Sequence, residues 1–316
     1  MKFNIPILDE LSQCQNLLIA GAGGGFDIFC GLPIYFELKK RGQNVHLANL
    51  SFADIESVRH GLRLTPTLVG VDYDPSQIYP YFPELYLAEW FKVGLGQDVA
   101  VWCFQKTGAF PLTENYHVLA EHLSIDGILL VDGGVDSLMR GDEWQKGTLV
   151  EDAVSLFAVN SLSTVKRRFI ACAGLGAEQN VTYTHVFENI AALTKEGGFL
   201  GACSLAPAMP SYQAFESAVL YVQEKPFHEP SVINSSIISA VCGNYGDYHL
   251  TDKTRDSQLW ISPLMALYWF FDFEVVVRRN LFLPQLQGTY TFRDALDRVL
   301  EFGRHVERRP ESHVPL

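Results

Sequence analysis

Positive charge is scarce in this chain. Across 316 residues, 24 lysines and arginines face 36 aspartates and glutamates, a formal net charge of −12. A surface of that sign repels phosphate backbones and anionic membranes, which argues against nucleic acid or a lipid surface as partner. Long hydrophobic runs are missing too. The longest near the C-terminus, Leu264 to Phe271, stops at Asp272, far short of the roughly 20 residues a membrane-spanning helix needs. The opening MKFNIPILDEL lacks the basic start, apolar stretch and small-residue cleavage site of a secretory signal, so a cytoplasmic location is expected. No CxxC pair occurs. The six cysteines are dispersed, several inside apolar segments such as FIACAG and LGACSL, where a thiol acts as a small core residue and a structural zinc site is excluded. GxSxG and HExxH are absent, which leaves nucleophilic and zinc-peptidase chemistry without support.

What the chain does have is apolar material: 48% hydrophobic residues against 19% charged, enough for a sizeable core. Short apolar runs alternate with helical patterns. Strands are predicted at 16–20, 44–50, 99–104, 127–131, 168–173 and 199–204. Helices are predicted at 33–41, 113–123 (with Thr113 as N-cap), 150–162, 182–195 and 211–224. This alternation predicts an α/β fold, a doubly wound, mostly parallel Rossmann-like sheet with right-handed crossovers. From Pro226 the pattern loosens into helices at 233–242, 259–271 and 293–305. These read as a largely helical C-terminal extension (226–316) packed on one α/β domain spanning 1–316. The Pro- and Tyr-rich stretch 72–90 reads as a structured excursion.

Three loops at strand ends carry candidate chemistry. The first, GAGGGFD, places Gly21, Gly23, Gly24 and Gly25 between a strand and a helix, a phosphate-cradle pattern, yet ends in Asp27. The dinucleotide fingerprint fails because Phe26 stands at its third glycine and no acidic residue ends the second strand. Only Asn49 and Ser51 are available there for a ribose hydroxyl. The G-x-G-x-G spacing is similar to the first motif of S-adenosylmethionine-dependent methyltransferases. Asp27 either caps its own helix or faces a ligand. The second loop, VDGGVDSLMRGDE, offers Asp132, Asp136, Asp142 and Glu143, with Gly133, Gly134 and Gly141 freeing the backbone. Four carboxylates so close repel one another unless a cation, a shared proton or strong N–H donors compensate. They are candidates for acid/base catalysis, and Asp132, Asp136 and Asp142 for Mg²⁺ ligation. The third loop, GLGAEQN, repeats the glycine turn with Gly174 and Gly176 and brings Glu178. Lys253 and Arg255 are the best anion-binding candidates, against ordinary surface pairing.

Together, LLIAGAGGGFDIFCGLPIYFELKKRG, VDGGVDSLMRGDE and ACAGLGAE resemble the family labelled domain of unknown function 1152, most clearly over residues 15–205. The resemblance implies that Gly21, Gly23, Gly24, Gly25 and Asp27 form one motif. Asp132, Gly133, Gly134, Asp136, Gly141, Asp142 and Glu143 form a second, and Gly174, Gly176 and Glu178 a third. Phe26 departs from the family, where another glycine is common. The family brings no established reaction with it.

The expectation is therefore a small-molecule enzyme with one cleft at the carboxyl ends of parallel strands. Its ligand would be a nucleotide-, nucleoside-, sugar-phosphate- or amino-acid-like metabolite, and its reaction hydrolysis or group transfer. NAD-dependent redox chemistry, methyl transfer from S-adenosylmethionine and non-catalytic metabolite binding are the alternatives. The aromatic stretch 267–282 suggests either internal packing or a homo-oligomer interface.

Overall fold

In the computed structural model, residues 5–75 and 79–310 are described. The chain runs α1 (Pro6–Ser12), β1 (Asn16–Gly21), α2 (Asp27–Cys30), α3 (Leu32–Lys40), β2 (Asn44–Ser51), β3 (Leu62–Thr65), β4 (Leu68–Val71), α4 (Pro83–Leu95), β5 (Val101–Gln105), α5 (Ala109–His122) and β6 (Gly127–Gly133). It continues with α6 (Val150–Asn160), β7 (Arg167–Ala173), α7 (Tyr183–Lys195), β8 (Phe199–Ser204), α8 (Pro210–Gln223), α9 (Val232–Val241), β9 (Leu267–Asp272), α10 (Phe273–Arg279) and α11 (Phe292–His305).

The strands form one sheet in the order β3-β4-β5-β2-β1-β6-β7-β9-β8. Its centre, β5-β2-β1-β6-β7, is parallel. The β3–β4 hairpin adds antiparallel strands at one edge, and β9 runs antiparallel between β7 and β8. Successive residues of β1 feed opposite layers. Leu17 and Ile19 belong to the core shared with α1, α3, α4 and α8, while Leu18 and Ala20 belong to the core shared with α5, α6 and α11. Burial on both faces explains why β1 and β6 read as continuous apolar runs. The sheet grows away from β1 through β2 and β5 on one side, and through β6 and β7 on the other. The order thus reverses between β1 and β6, where Gly21 pairs with Val131. A crevice outside the carboxyl ends at such a reversal is where open α/β sheets bind ligands.

The α/β, doubly wound reading and the two outer helices of the tail, α9 and α11, match the sequence analysis. Three details differ. The helix expected at 259–271 is replaced by β9, because LYWFFD contributes Tyr268 and Phe270 to one core and Phe271 to the other. An apolar run of that length carries no period that separates a strand from a helix. Thr113 is not an N-cap. Helix α5 starts after Gly108, and the Thr113 hydroxyl donates to Ala109 O at 2.7 Å within the helix. The stretch 72–90 leads into α4, and its residues 76–78 lie outside the described residues; the hairpin just before it was unexpected. No helix among the described residues is long and apolar enough to cross a membrane.

Candidate functional site

The loops after β1, β6 and β7 meet around one open cavity of about 530 Å³, lined on the sheet side by Gly23, Asp27, Asp132, Asp136, Asp152 and Glu178. Helix α9 and the turn carrying Lys253 and Thr254 supply the opposite wall.

Asp27 is the first residue of α2, but its side chain does not cap that helix. It turns back, and Oδ2 accepts the Gly23 amide at 2.7 Å. A loop donor that a phosphate would need is thereby spent on the chain's own carboxylate. Gly23 leaves room for two carboxylates. A Cβ there would stand 2.8 Å from Asp152 Oδ2 and 2.9 Å from Asp27 Oδ2. Gly24 and Gly25 shape the same turn, and Gly21 lies deeper, where a Cβ would collide with Asn49 Oδ1. Asn49 itself donates to Gly25 O and to Glu84 Oε1 at 2.8 and 2.7 Å. Its amide braces the glycine loop from beneath, so the dinucleotide reading loses its ribose partner. Phe26, for its part, is largely buried and packs on Phe29.

Asp132, the last residue but one of β6, is buried, with Oδ2 accepting the Ser137 amide at 3.0 Å. Asp136 follows in a short 3-10 turn, and its Oδ2 accepts the Thr148 amide at 2.8 Å. Glu178, beyond β7, accepts the Val135 amide at 2.7 Å. A side chain at Gly134 would collide with that carboxylate, which ties the second loop to the third. Gly133 borders the cavity, whereas Gly174 and Gly176 only shape the third turn, packed against Ile233 and Met265.

Asp152 completes the group and was missed in the sequence. It sits in the first turn of α6, inside the apolar pattern VEDAVSLFAV, where it passes for an ordinary helix-start acid. It is buried, and its Oδ1 has no hydrogen-bond partner. Asp27, Asp132 and Asp152 each bring a carboxylate oxygen to within 4.8 Å of the others. Of the expected ligand candidates Asp132, Asp136 and Asp142, only Asp132 belongs to this close group, while Asp136 lines the same cavity.

Asp142 and Glu143 do not join this cluster. Arg309 Nε donates to Asp142 at 2.9 Å, and Arg309 Nη2 to Glu143 at 2.6 Å. Glu143 also accepts from the amides of Arg140 and Gly141 and from Asn189. Burial alone would raise its pKa, but these donors outweigh it and hold the carboxyl below its ordinary range. Gly141 packs on Phe282 and Phe302. The GDE half of the second loop thus anchors the C-terminal segment.

The remaining carboxyls behave in the opposite way. Burial pushes Asp132 up to about 6. Burial together with repulsion from Asp132 pushes Asp136 up to about 8. Burial and repulsion from Asp132 raise Asp27 well above the carboxylate range, and burial with repulsion from Asp136 and Asp132 does the same for Asp152 and Glu178. The nearby amines are engaged elsewhere: Lys253 pairs with Glu229 and Lys106 with Glu151, at 2.8 and 2.6 Å. Arg255 pairs locally with Asp252. An all-oxygen donor set around one buried point suits a hard cation such as Mg²⁺, Mn²⁺ or Ca²⁺.

These features define an α/β protein whose sheet carries a carboxylate-lined cleft at its topological reversal. The chain belongs to the family described as protein of unknown function (DUF1152), which it matches over residues 88–314. That span takes in Asp132, Asp136, Asp152, Glu178 and Arg309, while the glycine loop with Asp27 precedes it. No curated protein and no solved structure matches the chain.

Proposed function

We propose that the protein is a small-molecule enzyme that binds a divalent cation at Asp27, Asp132 and Asp152 and carries out hydrolysis or group transfer on a polar metabolite. The observation that carries this reading is the buried Asp152 Oδ1, unpartnered and gathered with two further carboxylates from separate strand ends. An orphaned buried oxygen is costly unless something binds it. Asp27 and Asp132 gather beside it, and a cation is the partner that would relieve the repulsion among the three carboxyls. Such an ion, when bound, supplies Lewis-acid polarisation of a substrate oxygen and a more acidic water. Asp136, braced by the Thr148 amide and lining the same cavity, is placed to hold or release a proton beside it. Glu178 shapes the acidic wall.

Methyl transfer is the second reading. The positively charged sulfonium and ammonium of S-adenosylmethionine would relieve the same repulsion, and the G-x-G-x-G loop supports it. Calorimetric titration with Mn²⁺ and Mg²⁺, followed by a phosphatase, esterase and transferase activity screen with and without the ion, tests the first reading. Saturable binding and ion-dependent turnover are expected, both lost in Asp152→Asn. Absence of ion binding in the intact protein overturns it.

A further inference from the structure

A second hollow of about 340 Å³ opens beside the acidic cavity and shares Asp27, Phe52 and Lys253 with it. Its volume falls within the range of small-ligand sites, about 300–1,000 Å³. Four aromatic residues line it, the largely buried Phe26 and the more open Phe52, Tyr81 and Phe227, together with Glu229, Ser231 and Lys253.

The more open rings are not there to fill a core. Phe52 follows β2 directly and is 45% exposed, and Phe227 is 76% exposed. Phe227 also adopts φ +65, one of only two non-glycine residues with positive φ among the described residues. A bulky side chain in the left-handed region is disfavoured, so the surrounding structure holds it there against its preference. Exposed rings held at strain cluster where ligands bind. Tyr81 is fixed differently. Its ring stacks on His228 at 5.1 Å, and His228 accepts the Phe82 amide and pairs with Pro226 O. The floor is the glycine turn, where a Cβ on Gly24 would approach Phe52 to 2.9 Å and one on Gly25 to 3.2 Å.

We propose that this slot is a nucleobase subsite, and that the ligand of the acidic site is a nucleoside derivative. Its planar ring lies among Phe52, Tyr81 and Phe227, and its charged end reaches Asp27 and the carboxylates beyond. The inference rests on the proposed function for the site at the charged end, and it names the substrate class. Aromatic rings bind bases of any identity through their π-faces, whereas the slot's rim offers few base-edge partners, so affinity is expected to vary little among bases. The position agrees with the fold, since the carboxyl end of β2 flanks the crevice at the sheet's reversal point.

The test is binding of four nucleosides, of AMP with Mn²⁺, of S-adenosylmethionine and of ribose 5-phosphate with Mn²⁺, measured by calorimetry on the full chain. AMP with Mn²⁺ is expected to bind roughly tenfold or more tightly than ribose 5-phosphate, which lacks only the base. Phe52→Ala is expected to remove that advantage and Phe52→Tyr to retain it, with Mn²⁺ affinity unchanged in both. Phe227→Gly relieves the backbone, so it is expected to raise thermal stability while weakening nucleoside binding, a pair of signs that unfolding cannot produce. Equal binding of the base-free sugar phosphate overturns the proposal, as does indifference to Phe52 and Phe227 or failure of every nucleoside to bind. If Mn²⁺ does not bind but adenosine or S-adenosylmethionine still binds through Phe52, the cation reading fails and the slot stands. If Mn²⁺ binds and no base does, the slot alone fails.

Discussion

Asp27 Oδ2 accepts the amide of Gly23 at 2.7 Å, so the glycine loop closes on the acid at its own end. That bond turns a would-be phosphate cradle into a carboxylate mount. The loop fixes one wall of an acidic cleft whose other walls arrive from β6, α6 and the turn after β7. A methyl group at position 23 is therefore a sharp probe. In Gly23→Ala the Cβ presses on the carboxylates of Asp27 and Asp152, which are side-chain ends able to swing aside. Stability is expected to fall by only about 1 kcal/mol, while cation affinity falls tenfold or more because the trio is splayed. In Gly24→Ala the clash is with the Leu50 carbonyl at 2.5 Å, in a backbone at φ +89. That change is expected to cost roughly 1–3 kcal/mol. Urea melts and Mn²⁺ titration of the two variants separate these effects.

Asp152→Asn carries a prediction of opposite signs. Without a cation, removing one of several mutually repelling buried carboxyls is expected to stabilise the fold above neutral pH, on the order of 1 kcal/mol. With a cation, the intact protein gains stability as binding is linked to folding, about 2.7 kcal/mol at a hundred times the Kd, and the variant gains none. Thermal unfolding with and without Mg²⁺ reads both. A variant that melts lower than the intact protein in chelator would show Asp152 to be a structural partner instead.

Arg309 is held by Asp142, Glu143 and Glu188 together. Glu143 is fully buried, so Arg309→Ala leaves an interior carboxylate with neutral donors but no counter-charge and is expected to cost about 3 kcal/mol. Glu143→Gln in that background recovers part of the loss, a coupling that a double-mutant cycle by urea denaturation measures. The folded pKa of Glu143 is depressed. Its contribution is therefore present above the unfolded value and lost as pH falls through the folded one, and Asn189→Ala, which removes the largest of the donors holding it down, shifts that acid limb upward. Cation binding at the Asp27 cluster is expected to survive.

The parallel core and the three motif loops were legible because their signals are local: apolar runs closed by glycine turns. Their division of labour was not. Asp132 and Asp142 look alike in VDGGVDSLMRGDE, and only Arg309, distant in sequence, assigns Asp142 to the C-terminal anchor. Asp152 was hidden because an acid in the first turn of a helix normally serves the helix dipole. Its neighbours Asp27 and Asp132 come from other elements. Strand β9 was lost for a similar reason. Its pairing with β7 and β8, more than its composition, makes it a strand. Phe52 carries no local signal of its place, and its exposure beside the cleft emerges only once the chain has folded.

Glu84 provides a pH prediction that does not involve the acidic cluster. It lies at the start of α4, fully buried, accepting from Asn49, with Tyr81 and Cys103 as the nearby titratable groups. Burial pushes its carboxyl up to about 7 from an ordinary 4.5. Because the folded value lies above the unfolded one, the native state binds the extra proton between them. Its cost is absent below about pH 4.5, grows as pH rises towards 7, and is complete above it. The implied penalty is ~3 kcal/mol at most. Glu84→Gln keeps an oxygen for the Asn49 amide and removes the titration. It is expected to flatten the fall in stability between pH 4.5 and 7 and to leave the protein more stable at pH 8. Urea midpoints at pH 4.5, 6 and 8 check it. An unchanged slope in the variant would mean that Glu84 is not the group responsible.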